Sequence, residues 1–102
     1  MKKKINDKVE LKEKLVLQLF VSGMSVKSME AIENIQELCQ HYLEGAFELE
    51  VIDIYKNPEA AAKHHIVFSP SLIKELPLPK KILIGTLADK EKTIKALGIS
   101  FK

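Results

Sequence analysis

The sequence contains no arginine and no tryptophan, and all 16 of its strongly basic side chains are lysines. Without guanidinium groups the chain lacks the planar fork that reads guanine or phosphate through paired hydrogen bonds. The 16 basic and 14 acidic side chains leave a net charge of only +2, which gives little attraction for a phosphate backbone. The composition therefore argues against a nucleic-acid-binding protein.

Cysteine is nearly absent too, since Cys39 is the one thiol in the sequence. A single thiol forms no intrachain disulfide and makes no Cys-x-x-Cys redox pair. Hydrophobic runs are short, because the longest, LVLQLFV, is far below the roughly 20 residues of a membrane helix. The lysine-rich start is followed by alternating charges rather than by the apolar segment of a signal peptide. These absences predict a cytoplasmic protein with no membrane partner.

A chain of 102 residues is long enough for one hydrophobic core and too short for two. Residues 1–13 carry many charges and few apolar side chains, so we predict a mobile charged leader ahead of one domain at 14–102. The run KLVLQLFVSG predicts a buried central strand. In SVKSMEAIENIQELCQHYLEG, apolar residues such as Met29 and Ile35 recur every three or four positions, which predicts an amphipathic helix with Ser25 as its N-cap.

The second half of the chain alternates strands and short helices. AFELEVIDIYKNP predicts a strand with Phe47 on one face and Ile52 on the other, and Asn57-Pro58 predicts the N-cap and first residue of a short helix. SLIKEL and KKILIG predict two further strands, and ADKEKTIKALGI predicts a terminal helix capped by Asp89. The order βαβ, α, ββα predicts a single α/β domain with a thioredoxin-like fold.

Ser69-Pro70 stands immediately before the predicted third strand, where proline removes a backbone donor. Two explanations are open at this point. In one, Pro70 follows a cis peptide bond and faces the loop after the first strand. In the other, Pro70 simply starts a strand, and Pro77 and Pro79 stiffen the hairpin connection. The thioredoxin-like order of elements favours the cis proline.

The position where a thioredoxin-like redox enzyme carries its thiols reads GMSVKS and contains no cysteine. The alternative is a glutathione- or thiol-related enzyme with Ser25 or Ser28 as nucleophile, although helix capping explains both serines. Cys39 is expected to be buried and inert on the apolar face of the helix.

Three further side chains are of types that bind metals or act as general bases. His64 and His65 are adjacent, so on a helix they point roughly 100° apart and do not share a metal. We expect them at a solvated helix end. Asp53 interrupts an apolar strand, where a turn cap is the expected role and a general base the alternative. The sequence predicts no catalytic residue, cofactor or metal.

Three stretches, LFVSG, LEVIDIYKNPE and VFSPSLIKELPLPKKILIGTLADKEK, together resemble the KaiB family of circadian-clock proteins. Members of that family read much like LYVAG, LKVIDVLKNP, ATPTL and IIGDLS in the same order. The resemblance runs from about Leu15 to Phe101. It rests on the joint spacing of Gly23, Asp53, Asn57-Pro58, Pro70, Pro77, Pro79 and Gly85.

The resemblance implies a non-enzymatic clock or stress-response regulator that binds a KaiC-like hexameric ring ATPase, mainly through the first helix and second strand. In complete clocks such a protein also helps to sequester KaiA and to displace a competing sensor kinase. We predict Glu50, Lys56 and His65 as partner-binding residues. Glu50 stands where relatives carry lysine, and Thr86 where they carry aspartate, so the charge of the partner-facing surface differs from theirs.

The family also implies two folds, a thioredoxin-like monomer and a rearranged homotetramer whose second half exchanges helices and strands. Pro70, Ala96 and Gly98 are the residues predicted to influence this switch. Alanine favours a helix interior over glycine by about 1 kcal/mol, and Gly98 suits a helix C-cap. We therefore predict a mostly thioredoxin-like monomer in dilute solution, with the tetramer as the alternative state.

Overall fold

The computed structural model describes residues 14–42, 46–66 and 69–99. The predicted leader at 1–13 lies outside this part of the chain. The elements follow the order predicted from the sequence. They are β1 (Leu15–Val21), α1 (Val26–Tyr42), β2 (Phe47–Asp53), α2 (Pro58–Lys63), β3 (Ser71–Leu76), β4 (Lys81–Ile84) and α3 (Lys90–Leu97).

The four strands form one sheet in the order β2-β1-β3-β4. β1 pairs parallel with β2 and antiparallel with β3, and β3 pairs antiparallel with β4. The apolar run of β1 thus lies inside the sheet, with a strand on each side and a cluster of apolar side chains on each face. This arrangement confirms β1 as the buried central strand.

The sheet separates two apolar clusters. On the face that we call the α1 side, Leu17 and Leu19 pack with Ile35 of α1 and Leu97 of α3. On the opposite face, the α2 side, Phe20 packs with residues that include Ile52, Ile73 and Ala60 of α2. The alternation predicted for β2 is confirmed, because Phe47 contacts the first cluster and Ile52 the second.

The buried stripe of α1 consists of Ser28, Ala31, Ile35, Leu38 and Cys39. Met29 was expected in this stripe, but 44% of its surface is exposed. A period of 3.6 residues traced back from Ile35 reaches Ser28, and Met29 lies roughly 100° further round the helix. The inward position at the start of α1 is therefore occupied by a hydroxyl rather than by an apolar side chain.

α3 has both of the ends predicted for it. The Asp89 carboxylate accepts a hydrogen bond from the Lys92 N–H at 3.1 Å. Gly98 adopts a φ of 75°, and its N–H donates to the Ile94 and Lys95 carbonyl oxygens. Ala96 lies within the helix. Asn57 occupies the N-cap position of α2, but its side chain makes no capping hydrogen bond. The terminal helix predicted for ADKEKTIKALGI is thus confirmed as α3.

Pro70 is buried immediately before β3. The Ser69-Pro70 peptide bond is cis, as predicted, and so are Leu76-Pro77 and Leu78-Pro79.

No helix within the described ranges has the length and apolar content required to span a membrane.

Candidate partner-binding site

The loop between β1 and α1 is held by a network of serine hydroxyls. Ser28 is fully buried, and its Oγ accepts hydrogen bonds from the Ser22 N–H at 3.0 Å and from the Ser25 hydroxyl at 2.8 Å. The Ser25 Oγ in turn accepts the Ser28 N–H at 3.2 Å, which confirms Ser25 as the N-cap of α1. Both serines therefore fix the loop and the start of the helix.

Asp53, at the end of β2, joins this loop to the turn before α2. Its Oδ1 accepts hydrogen bonds from the Gly23 N–H at 3.2 Å and from the Tyr55 N–H at 2.9 Å. Its backbone carbonyl accepts the N–H groups of Lys56 and Asn57. The predicted turn cap is confirmed, and one carboxylate additionally holds two loops together.

Gly23 is needed at the contact between these loops. Its φ is +57°, a backbone conformation that residues with a side chain rarely adopt. A Cβ at this position would lie 3.5 Å from the Tyr55 ring. The backbone of the first loop thus approaches the aromatic side chain of the second.

Three large apolar side chains face solvent, Met24 and Tyr55 on these two loops and Val26 at the first position of α1. Met24 is 79% exposed, Val26 74% and Tyr55 73%. We call them the loop-end patch. Because Asp53 ties the two loops together, these exposed side chains are presented on a fixed scaffold.

The three predicted partner-binding residues lie in different places. Lys56 is exposed and directly follows Tyr55 of the loop-end patch. Glu50 pairs in register with Gln18 and accepts a hydrogen bond from its Nε2 at 3.3 Å, which places Glu50 on the α2 side of the sheet, opposite α1. His65 is exposed just after α2, with a φ of 56°. None of the contacts among the described residues joins any two of the three.

His64 differs from the expectation of a solvated helix end. Its ring centroid lies 5.5 Å from that of Phe20, and its Nδ1 lies 3.7 Å from the Glu75 carboxylate, which also has the Lys80 ammonium at 3.9 Å. The helix ends over the sheet, so the first histidine of the pair packs inward. Neither Phe20 nor Glu75 is close to His64 in sequence, and no local pattern could have indicated this contact.

The candidate nucleophiles Cys39, Ser25 and Ser28 are each buried or hydrogen-bonded. Cys39 is fully buried, as expected, and burial raises the pKa of its thiol to about 11. Ser28 is inaccessible, and the Ser25 hydroxyl is bonded to it. In the ranges that the structure covers, no group of three His, Cys, Asp or Glu side chains could hold a metal. This geometry gives the two serines a structural role.

Comparison with known proteins identifies the family. The family model described as the KaiB domain matches residues 18–99. The chain belongs to the KaiB family. It is 38% identical over 86 residues to circadian clock protein KaiB3 of Synechocystis, covering 84% of each chain. It is also 36% identical over 92 residues to circadian clock oscillator protein KaiB of Trichodesmium erythraeum, covering 90% of this chain and 88% of that protein.

Solved structures confirm the thioredoxin-like fold of this KaiB-family chain. The N-terminal domain of Synechococcus elongatus SasA superimposes with a TM-score of 0.70 at 21% identity, covering 98% of this chain and 97% of that domain. Fasciola hepatica thioredoxin gives a TM-score of 0.69 at 18% identity, covering 87% and 83%. At these identities the likeness concerns the fold alone.

Proposed function

We propose that this KaiB-family chain is a non-enzymatic regulator, in a clock or a stress response, that binds a KaiC-like hexameric ring ATPase. Membership of a family whose curated members are circadian clock proteins supports the regulatory role. The observation that carries the binding role is the loop-end patch, held at the position where a thioredoxin-like redox enzyme would carry reactive thiols. A cytoplasmic location is part of the proposal.

The geometry suits binding in two respects. Serine hydroxyls and one aspartate fix both loops before any partner arrives, so little conformational freedom is lost on association. Tyrosine and methionine are large anchors of the kind that dominate interfaces. Lys56 lies at the rim of the patch, where a charge mainly sets association rate and specificity. Glu50 and His65 are proposed as outer contacts on the α2 side.

Two further partners are proposed on family membership. Sequestration of a KaiA-like protein and displacement of a sensor kinase would both follow once the ATPase is bound. A rearranged homotetramer is proposed as the storage state, with Pro70, Ala96 and Gly98 influencing the balance. The switch requires two packings within a few kcal/mol of each other.

The direct test is a pull-down with the KaiC-like ATPase encoded in the same genome, in the presence of ATP, ADP or a non-hydrolysable analogue. We expect capture in at least one nucleotide state, and loss of most capture with Tyr55→Ala. Tyr42→Ala is the matched control, because Tyr42 is a partly exposed tyrosine at the far end of α1. Failure to capture the ATPase in every nucleotide state would contradict the proposal, as would equal effects of the two substitutions.

An enzymatic role is tested separately by calorimetry with glutathione. The proposal expects no binding heat. Binding that Ser25→Ala abolishes would favour the glutathione-related enzyme instead.

A further inference from the structure

The outer edge of β4 carries backbone groups that no described strand pairs. β4 is the last strand of the sheet, and its antiparallel ladder with β3 pairs Leu83 with Leu72 and Ile84 with Ser71. The Gly85 N–H donates to the Pro70 carbonyl oxygen at 2.9 Å, so position 85 directs its backbone groups towards β3. Hydrogen bonding alternates along such a ladder. Positions 82 and 84 therefore direct their N–H and C=O groups outward.

The side chains at the same two positions are apolar and exposed. Ile82 is 53% exposed and Ile84 62%, and both lie on the α2 side of the sheet, since Ile82 pairs with Ile73 of the α2-side cluster. A groove of about 330 Å³ lies between β4 and α3, and no described residue outside β3 makes a backbone hydrogen bond with Ile82 or Ile84. An open edge with exposed isoleucines is a template for strand addition.

We propose that this edge pairs antiparallel with the β4 edge of a second copy of the chain, with Leu83 opposite Leu83. In this register Ile82 lies opposite Ile84 of the second copy, and Ile84 opposite its Ile82. These are the positions with outward-facing backbone groups, so the two strands can exchange four hydrogen bonds. They also share a face, so the exposed isoleucine side chains meet directly. The two four-stranded sheets become one continuous sheet.

The apolar side chains favour this register over its neighbours, because only here do both isoleucines of each strand face isoleucines. A slip by one residue would bring the α2 side of one sheet next to the α1 side of the other, so the exposed isoleucines would no longer meet. A slip by two residues would place Lys80 opposite Ile84 in one direction and Thr86 opposite Ile82 in the other, so each slip loses one of the two Ile–Ile pairs. In the proposed register Lys81 lies opposite Gly85, which has no side chain. The two Lys81 ammonium groups are then some four residues apart along the strands, or roughly 13 Å, which exceeds the Debye length of about 8 Å at physiological ionic strength.

The pairing is expected to be weak, and it is independent of the proposed ATPase binding. Two strands of this length bury much less than the roughly 800 Å² per partner of a stable interface. We therefore expect a dissociation constant on the order of 0.1 to 1 mM, the weak end of specific association. The protein should thus be monomeric at micromolar concentration and partly dimeric near millimolar concentration.

The test is a dilution series of the isotope-labelled full chain, from about 1 mM to about 20 µM, followed by amide NMR and sedimentation. We expect concentration-dependent shifts centred on the Ile82 and Ile84 amides, and a dimer at high concentration. Ile84→Lys should weaken association at least tenfold, because it places lysines beside the facing isoleucines. Met29→Lys, at another exposed apolar position, should leave association unchanged.

Two results would overturn the proposal. The first is an amide spectrum that does not change with concentration. If Ile82 and Ile84 then shift on adding an acidic, apolar extended peptide, the edge belongs to that different partner. The second is a tetramer in which residues 90–97 have lost their helical shifts, since that would be the rearranged fold.

Discussion

Removal of the Asp53 carboxylate should loosen the loop-end patch as well as destabilise the fold. In Asp53→Ala, the N–H groups of Gly23 and Tyr55 lose their acceptor, at 3.2 and 2.9 Å. A hydrogen bond to a charged group contributes about 1.5–3 kcal/mol, but the Tyr55 N–H is exposed and can bond to water. We therefore count mainly the Gly23 bond and expect a loss of about 2 kcal/mol in the free energy of unfolding. Urea denaturation should show a midpoint lowered by about 1–2 M.

The informative comparison is with Asp89→Ala, which removes the N-cap of α3 and should cost about 1 kcal/mol without touching the patch. Affinity for the KaiC-like ATPase should fall for Asp53→Ala, because its loops must be ordered on binding, and should be retained for Asp89→Ala. Asp53→Asn keeps an oxygen acceptor and should lie between the wild type and Asp53→Ala in both measurements. The reasoning is refuted if Asp53→Ala leaves stability unchanged, or if it binds as tightly as the Asp89 variant.

Three further results are expected. Burial raises the pKa of the Cys39 thiol to about 11 from an ordinary 9.0, so at mildly alkaline pH the thiolate fraction falls about 100-fold. A thiol reagent should therefore modify the folded chain at least 100-fold more slowly than the urea-unfolded chain. Similar rates would contradict the burial of this thiol. Glu50→Lys should change the salt dependence of ATPase association more than it changes the unfolding midpoint, and the opposite ranking would remove Glu50 from the interface. Ala96→Gly should destabilise α3 by about 1 kcal/mol and raise the population of the rearranged tetramer about fivefold. Light scattering measures the mass, and backbone chemical shifts at 90–97 report the loss of helix. Unchanged shifts and mass would argue against a role for Ala96.

Local patterns were sufficient for most of the secondary structure. The dense apolar run of β1, the alternation of β2 and the capping residues of α3 each depend on neighbours in sequence, and each prediction is confirmed. The apolar pattern predicts the wrong face for Met29, because the inward position at the start of α1 belongs to the Ser28 hydroxyl. A polar side chain that hydrogen-bonds to a nearby loop interrupts the apolar periodicity of a helix without changing which face of the helix is buried.

The candidate site was harder to predict because it is formed by residues distant in sequence. The link between Asp53 and Gly23 spans two loops, and the contact of His64 with Phe20 and Glu75 exists only once α2 lies on the sheet. The loop-end patch contains apolar residues that a pattern would assign to the core. Their exposure follows from the geometry of the loops and not from their hydrophobicity.

The most direct test of the central claim is hydrogen exchange of the full chain, free and bound to the hexameric KaiC-like ATPase from the same genome. The loop-end patch predicts that binding slows exchange at residues 22–28 and 54–57, with little change at 81–84 in micromolar samples. Protection confined to other segments, or no protection in any nucleotide state, would contradict the claim that these two loops bind the ATPase.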